Sequence, residues 1–179
     1  NYELRITSYE LLLAYLHACL PSYFFTFMNK QYAQKLLQKN IKTYEKIAEH
    51  FDQTRQWIEP ELKEVKKYIE KNDKVLDLGC GNGRFLKIVK STPETNYIGV
   101  DSSKKLIKRA RKEHPNGKFK VADALNLPFQ KESFDMVLSI AVFHHIPSRK
   151  LRQQFLKEAR RVLKKEGKLI ITVWNLWQK

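Results

Sequence analysis

Residues 74–83 read KVLDLGCGNG, and this stretch decides the fold. Its first five residues, Lys74 to Leu78, form a short apolar run that is typical of a buried strand. Three glycines at alternate positions follow at once, and the apolar spacing then becomes helical through Phe85 and Val89. A strand that leads through a glycine-rich turn into a helix predicts an open sheet whose ligands bind at the carboxyl ends of the strands.

The same alternation continues toward the carboxyl end. We predict further strands and helices, in chain order, at Asn96–Asp101 (strand), Lys104–Lys112 (helix), Lys118–Asp123 (strand), Phe134–Ile140 (strand), Arg149–Leu163 (helix) and Lys168–Trp174 (strand). Gly167 is expected to end the last helix. Strands alternating with helices indicate an α/β, Rossmann-like fold with a mostly parallel sheet.

Two helices are predicted before the core. Apolar residues from Ile41 to Phe51 recur at helical spacing, and Pro60 suits the first turn of a second helix. We therefore divide the chain into N-terminal helices over residues 28–73 and a core over residues 74–179.

The amino end fits no familiar pattern. Residues 11–27 are apolar, but they are too short for a membrane helix, and they lack the basic start and cleavage site of a signal peptide. One hypothesis is that residues 1–27 are translated upstream sequence and that the native protein starts at Met28, without any membrane segment. The rival is an apolar helix that docks on the domain or on a membrane.

Composition narrows the class of protein. The chain has 179 residues, is 42% hydrophobic and carries a formal net charge of +15, so it is neither disordered nor fibrous. Such a surplus favours an anionic partner such as nucleic acid, although a lysine-rich proteome explains it equally well. Cys19 and Cys80 are far apart and lack metal-ligand spacing, which indicates no metal site and a reduced, cytoplasmic protein.

The glycine turn does not fit dinucleotide binding. The dinucleotide fingerprint G-x-G-x-x-G would place its third glycine at Arg84, whereas here glycines stand at 79, 81 and 83. No lysine is placed for a phosphate-binding loop. Asp77 lies just before the turn, and an acid in that position suits a ligand with an ammonium group.

Two more acids end the next two strands. Asp101 can accept hydrogen bonds from ribose hydroxyls, and Asp123 can accept one from an exocyclic adenine amine. A single acid at such a place is usually a helix cap or a turn former. Three acids at consecutive strand ends around a glycine turn indicate a nucleoside-like ligand that carries an ammonium group.

These motifs resemble the class I S-adenosylmethionine-dependent methyltransferases. DLGCGNG, GVDSS, ADALNLPF and RVLKKEGKLIITVW carry the resemblance, which covers roughly residues 44–179. It implies S-adenosylmethionine as cofactor, the methionine part held by Asp77 and the turn, the ribose by Asp101 and the adenine by Asp123 with Ala124. The full implied set of cofactor-binding residues is Asp77, Gly79, Cys80, Gly81, Gly83, Asp101, Ser102, Asp123, Ala124 and Ile140.

A narrower resemblance points to one substrate. The segments from Tyr44 to Arg55, DALNLPF, SIAVFHH ending at His145, and Val173-Trp174 are similar to the tRNA wobble-uridine carboxymethyl methyltransferases, including the methyltransferase half of the AlkB-like tRNA hydroxylase fusion. This resemblance implies methyl esterification of a 5-carboxymethyl group on tRNA. Some members of the class work with a small zinc-binding activator protein, which is a candidate partner here.

A carboxylate acceptor sets the expected chemistry. It is already ionised at neutral pH, so it needs an orienting cation and no general base. Arg55 is the candidate for the cation that clamps this carboxylate. The alternative is that Arg55 is an ordinary surface arginine. His144 and His145 are candidates for substrate positioning, and the alternative is that they have a structural role. Basic residues near Lys104–Lys112 and at Lys35, Lys39, Lys42 and Lys46 could follow RNA phosphates, and Trp57 could stack on a base.

Two rival functions stay open at this point. A small-molecule O- or C-methyltransferase of the quinone or natural-product kind would use a histidine as base and leave the basic surplus idle. A non-catalytic scaffold subunit has no reason to keep Asp77, Asp101 and the turn glycines.

The class also implies strands beyond this sequence. A complete fold has seven strands, the last two forming a hairpin beside the fifth, and this chain appears truncated after that fifth strand. Either the sequence is a fragment whose sheet edge is unpaired, or the missing strands come from elsewhere.

Overall fold

The computed structural model describes residues 2–7, 28–55 and 57–174, and over these it forms one sheet of six strands. The strands are β1 (Tyr2–Thr7), β2 (Lys74–Leu78), β3 (Asn96–Asp101), β4 (Lys118–Val121), β5 (Phe134–Ile140) and β6 (Leu163–Trp174). Their spatial order is β1-β6-β5-β2-β3-β4.

The five core strands β2 to β6 run parallel, as the alternation predicts. Leu76 pairs with Ile98 on one side and with Val137 on the other, so β2 lies at the centre of the sheet. The carboxyl ends of the strands therefore meet along one edge. The Rossmann-like, mostly parallel fold is confirmed.

The amino-terminal strand was not predicted. β1 pairs antiparallel with β6, from Tyr2 opposite Trp174 to Thr7 opposite Leu169. The edge of β6 that we expected to be unpaired thus gains a partner among the described residues. A start at Met28 stays a prediction; it would remove β1, and mass spectrometry of the endogenous amino terminus tests it. The apolar stretch over residues 11–27 lies outside the described residues.

Within the described ranges, five helices and two 3-10 turns connect the strands. They are α1 (Lys30–Thr54), α2 (Pro60–Lys63), a 3-10 turn (Glu64–Tyr68), α3 (Leu86–Val89), α4 (Lys104–Glu113), a 3-10 turn (Phe143–His145) and α5 (Arg149–Val162). Side-chain oxygens of Asn29, Ser103 and Ser148 cap α1, α4 and α5 by accepting backbone hydrogen bonds. Over the residues that the structure describes, every helix is too short or too polar to cross a membrane.

Each face of the sheet carries its own apolar layer. Successive residues of β2 belong to opposite layers: Val75 packs with Leu62 and Met136, whereas Leu76 packs with Phe155. All five side chains are fully buried. Burial on both faces explains why the core strands are continuous apolar runs rather than alternating ones.

Two predicted boundaries were wrong. The last helix ends at Val162 and β6 begins at Leu163, so Gly167 lies inside a strand and does not end the helix. A Cβ atom at Gly167 would come within 2.9 Å of the Asp135 carbonyl oxygen, which explains a glycine there without a helix end. The strand predicted over Lys118–Asp123 ends at Val121, which leaves Asp123 in the following turn.

Candidate functional site

The glycine turn after β2 wraps closely around the end of β3. The amides of Gly79 and Cys80 both donate to the Val100 carbonyl, at 2.8 and 3.0 Å. Gly79 has φ +74°, and a Cβ atom there would lie 2.4 Å from Cγ2 of Val142. A side chain is excluded at this position on both grounds, since L residues rarely adopt this backbone conformation. The bare backbone leaves room for a ligand.

Asp77 is a buried acid beneath this turn. The side chain is 2% exposed, and the Tyr97 hydroxyl donates to Oδ2 at 2.7 Å. Burial raises the pKa of Asp77 to about 7, although the hydrogen bond from Tyr97 acts in the opposite direction and lowers this pKa. A positively charged group beside this carboxyl would favour its ionised form and so bind to it.

Asp101 is held in place by the turn it faces. Its two carboxylate oxygens accept from the amides of Gly81 and Ser103, at 3.1 and 2.8 Å. Burial raises the pKa of Asp101 in spite of these bonds. Each oxygen keeps a further lone pair for a ligand hydroxyl.

Asp123 acts in part as a turn former, the usual role of a single acid at such a place. Its Oδ1 accepts from the Leu125 amide at 2.8 Å, so the side chain shapes the turn after β4. It also lines the same cavity as the other two acids.

These acids open on one cavity of about 460 Å³, a size typical of a small-ligand site. The predicted residues that line it are Arg55, Asp77, Gly79, Cys80, Gly81, Asp101, Ser102, Asp123, Ala124, Ile140 and His145. Gly83 and His144 are not in the lining. The Gly83 amide donates to the Cys80 carbonyl at 2.9 Å and closes the turn from behind.

The other half of the cavity comes from α1 and the loop after β5. Sequence reasoning missed most of this half, namely Leu37, Asn40, Ile41, Tyr44, Phe51, Val142 and Ile146, and it also missed Asn82 of the glycine turn. The helical spacing from Ile41 to Phe51 was visible as an inner face. Nothing local to α1 shows that this face looks into a cavity.

Two residues of α1 hold His145. The Tyr44 hydroxyl and Nε2 of His145 form a hydrogen bond of 2.8 Å, and Nδ2 of Asn40 donates to the His145 carbonyl at 2.9 Å. Burial lowers the pKa of His145, so the ring is neutral near pH 7. The loop after β5 is thereby fixed against α1.

Two acids of α1 fix the helix to the cofactor side. Oε1 of Glu45 accepts from the Ser103 hydroxyl at 2.8 Å, next to Asp101. Asp52, which is buried, accepts from Nδ2 of Asn82 at 3.1 Å and from Arg109 at 3.0 Å. α1 therefore touches both the turn and the start of α4.

Arg55 follows the last residue of α1 and is half-buried in the cavity wall. Its carbonyl accepts from Nδ2 of Asn82 at 3.1 Å. Over residues 2–7, 28–55 and 57–174, no carboxylate pairs with its guanidinium, in contrast to Arg84 and Arg109, which pair with Glu59 and Asp52. An anionic ligand group in the cavity would meet this cation.

His144 is set against His145, with ring centroids 4.1 Å apart. Burial, and then the neighbouring His145 and Arg152, lower the pKa of His144 to about 4. A base this weak removes a proton from a hydroxyl poorly at neutral pH.

The two predicted basic surfaces differ. In α4, Arg109 pairs with Asp52, and Arg111 donates to the Phe119 carbonyl at 2.8 Å. In α1, the lysines line an exposed groove, and none of them pairs with an acid in the described part of the chain; they are Lys35, Lys39, Lys42 and Lys46. Only the α1 surface is wholly available to an external anion.

One family model matches the chain. It is described as a methyltransferase domain and matches residues 76–171. The match runs from within β2 to within β6 and includes Asp77, the glycine turn, Asp101 and Asp123.

Two curated relatives align with most of this chain. The chain is 37% identical to the tRNA (carboxymethyluridine(34)-5-O)-methyltransferase of Saccharomyces cerevisiae over 83% of its length, and it covers 52% of that protein. It is 40% identical to the tRNA (carboxymethyluridine(34)-5-O)-methyltransferase alkbh8 of Xenopus tropicalis over 76% of its length, and it covers 21% of that protein. The chain thus spans about half, or less, of these relatives.

Among solved structures, the chain is similar to a putative methyltransferase from Haloferax volcanii in complex with the Trm112 methyltransferase activator. The TM-score is 0.59 at 25% identity, over 82% of this chain and 62% of the other.

Proposed function

The chain belongs to the S-adenosylmethionine-dependent methyltransferases, and on that premise we propose that it methylates the carboxylate of a 5-carboxymethyl group on the wobble uridine of tRNA. The observation that carries this proposal is Arg55, which lines the same cavity as the glycine turn and has no carboxylate partner among the residues that the structure describes. S-adenosylmethionine supplies a methyl group on a positively charged sulfur.

The residues around the turn fit that cofactor. Asp77 takes the ammonium group of the methionine part, the bare backbone at Gly79 and Gly81 lets this part approach, and Asp101 accepts from the ribose hydroxyls. Asp123 and Ala124 lie where the adenine would be held. The fit rests on three acids around one cavity, of which one has its pKa raised to about 7 and so responds to a cation.

The proposed acceptor suits the other half of the cavity. Arg55 binds the substrate carboxylate through two parallel hydrogen bonds and directs one oxygen toward the methyl carbon. An oxygen–carbon bond forms as the carbon–sulfur bond breaks, and the opposite charges of carboxylate and sulfonium cancel. No proton moves, so the reaction needs no base.

The two histidines agree with an acceptor that is already ionised. The low pKa of His144, about 4, makes it a poor base near neutrality, and Nε2 of His145 is engaged by Tyr44. A hydroxyl acceptor, as in the small-molecule reading, would need a base with a pKa near the working pH. We assign to His145 the positioning of the substrate.

The lysines of α1 give tRNA a surface to follow. Four lysines over three turns of α1, none of them paired with an acid in the described part of the chain, form one stripe that matches a phosphate backbone. Such binding depends strongly on salt. Trp57, which is 64% exposed and lies two residues from Arg55, is a candidate for stacking on a neighbouring base.

A partner and a location complete the proposal. The Haloferax volcanii protein of similar fold is bound to a methyltransferase activator, so we propose that this chain also works with a small, zinc-binding activator protein. Its site of action would be the cytoplasm.

The test is transfer of a labelled methyl group. Full-length protein, alone and with an activator protein of the Trm112 kind, is incubated with methyl-labelled S-adenosylmethionine and tRNA from cells that lack the wobble methyl ester. Mild base is then applied. An ester releases the label as volatile methanol, and Arg55→Ala should reduce the rate of this release about 100-fold.

The other outcomes are equally informative. Base-stable label on the RNA would move the reaction to a nucleobase or a ribose. No label on RNA, with cofactor binding intact and activator present, would contradict the tRNA proposal and favour a small-molecule acceptor.

A further inference from the structure

Asn82 is the residue of the glycine turn that reaches the substrate side of the cavity. It is 4% exposed, and its Nδ2 group donates to Oδ1 of Asp52 and to the carbonyl of Arg55, both at 3.1 Å. Both amide hydrogens are therefore used on the carboxyl end of α1. The opposite amide orientation would point an acceptor at two acceptors, which fixes the assignment.

The oxygen of the Asn82 side chain, in contrast to its nitrogen, lies in an unfavourable environment. Oδ1 of Asn82 is buried and has no hydrogen-bond partner among the described residues. A buried acceptor without a partner costs about 1 to 3 kcal/mol. An asparagine at this position therefore costs stability. This cost indicates that the two hydrogen bonds donated by its Nδ2 group serve a function.

From these contacts we infer that Asn82 is a positioning residue that links the cofactor turn to Arg55, so that cofactor binding increases the affinity for the carboxylate substrate. The inference rests on the proposed function. Two hydrogen bonds from Asn82 join the turn to the end of α1, so a ligand that restricts the motion of Gly79 to Gly81 also restricts the backbone that carries Arg55.

Linkage gives this inference a measurable form. If one ligand restricts motion that the other must also restrict, each binds more tightly in the presence of the other, by the same factor. The hydrogen bond from Asn82 to Arg55 is made to the backbone carbonyl and not to the guanidinium. Its loss should therefore act on RNA binding through the position of Arg55.

The experiment uses the full chain, S-adenosylhomocysteine as the cofactor probe and an anticodon stem-loop RNA with 5-carboxymethyluridine as the substrate probe. RNA affinity is measured with and without the cofactor probe, for wild type, Asn82→Ala, Arg55→Ala and the double variant. We expect the cofactor probe to tighten RNA binding of the wild type about tenfold, and of Asn82→Ala less than about twofold. Asn82→Ala should have almost no effect once Arg55 is alanine.

Two controls separate linkage from damage. Ser133→Ala removes a comparable hydrogen bond, from the serine hydroxyl to the Gln130 carbonyl at 2.8 Å, just before β5 and so away from the carboxyl ends of the strands, and should keep the full factor. Asn82→Ser keeps a single donor at this position and should give an intermediate factor, and it replaces the alanine variant if that one does not fold.

The outcomes distinguish the two claims. An undiminished factor in folded Asn82 variants, or an equal loss with and without Arg55, overturns this inference and leaves the proposed function standing. If wild type binds carboxymethyluridine RNA no better than the unmodified stem-loop, the proposed substrate is wrong and the inference falls with it.

Discussion

The two halves of the cavity are built in different ways. The cofactor half comes from strand ends and the short turns after them, and its key residues lie within a few positions of a recognisable motif. The substrate half joins α1 to a loop about a hundred residues away, for example through Tyr44 and His145. A contiguous motif can be read from sequence, whereas a surface assembled from distant segments requires the fold.

The largest effect should come from the cofactor half. Asp101→Ala removes two proposed hydrogen bonds from a carboxylate to the ribose, each contributing about 1.5 kcal/mol or more. At 1.4 kcal/mol per factor of ten, affinity for S-adenosylhomocysteine should fall at least about 100-fold, as measured by calorimetry. Methylation of every acceptor should fall with it. An unchanged affinity would contradict the assignment of this half.

Arg55→Ala should affect the substrate half alone. We expect kcat/KM for tRNA to fall about 100-fold because a bidentate ion pair is lost, and affinity for S-adenosylhomocysteine in the absence of RNA to stay within about twofold. Arg55→Lys, which keeps the charge but loses the planar fork, should fall between wild type and alanine. If cofactor affinity falls as strongly as activity, the two halves are not separable.

Asp77 gives the cofactor half a pH dependence that Arg55 cannot share. Its pKa is raised from 3.8 to about 7, so between these values the folded chain holds a proton that the unfolded chain has lost. The Asp77 contribution to the free energy of unfolding therefore decreases as pH rises through this interval. An ammonium ligand prefers the ionised acid, so S-adenosylhomocysteine should bind about tenfold more tightly at pH 8 than at pH 6, with most of the change below pH 7.

Asp77→Asn is the matched variant for this prediction. It should bind the cofactor probe weakly at every pH and lose most of the change in affinity between pH 6 and pH 8. A wild type whose affinity is flat over this range would show that Asp77 does not face the ammonium group.

The smallest effect is expected outside both halves. Lys39→Ala and Lys42→Ala should each reduce the slope of log affinity against log salt for tRNA by about 0.7. Cofactor affinity should not change. Lys165→Ala is the control, since Lys165 is exposed near the start of β6, at the opposite edge of the sheet. A slope that responds equally to Lys165 would mean that no specific lysine surface exists.

Sequence patterns predicted which segments form the sheet better than they predicted where single strands and helices end. Buried strands such as Lys74–Leu78 are short apolar runs that only one environment satisfies. Gly167 misled us because a glycine after an amphipathic helix usually ends it, whereas here close packing against Leu163 and Asp135 requires it. The turn before Asp123 likewise lacks a clear local signal.

The site divides along the same line. Asp77, Asp101 and the glycines could be predicted because each lies at the carboxyl end of a strand or in the turn directly after it. Asn40 and Tyr44 could not, because their partner is His145, and no local pattern in α1 shows which loop it will meet. Asn82 lay inside the motif, but its two acceptors on α1 were visible only in three dimensions.

The pairing of β1 with β6 has a consequence for synthesis. Its two strands come from opposite ends of the sequence, so Tyr2–Thr7 leaves the ribosome long before residues 169–174. At about 5 to 20 residues per second, the first strand waits on the order of ten seconds or more for its partner. The parallel strands can assemble during that interval, with β1 joining last. A newborn chain therefore depends on residues 169–174 to occupy a strand that would otherwise be free to pair with a neighbouring chain.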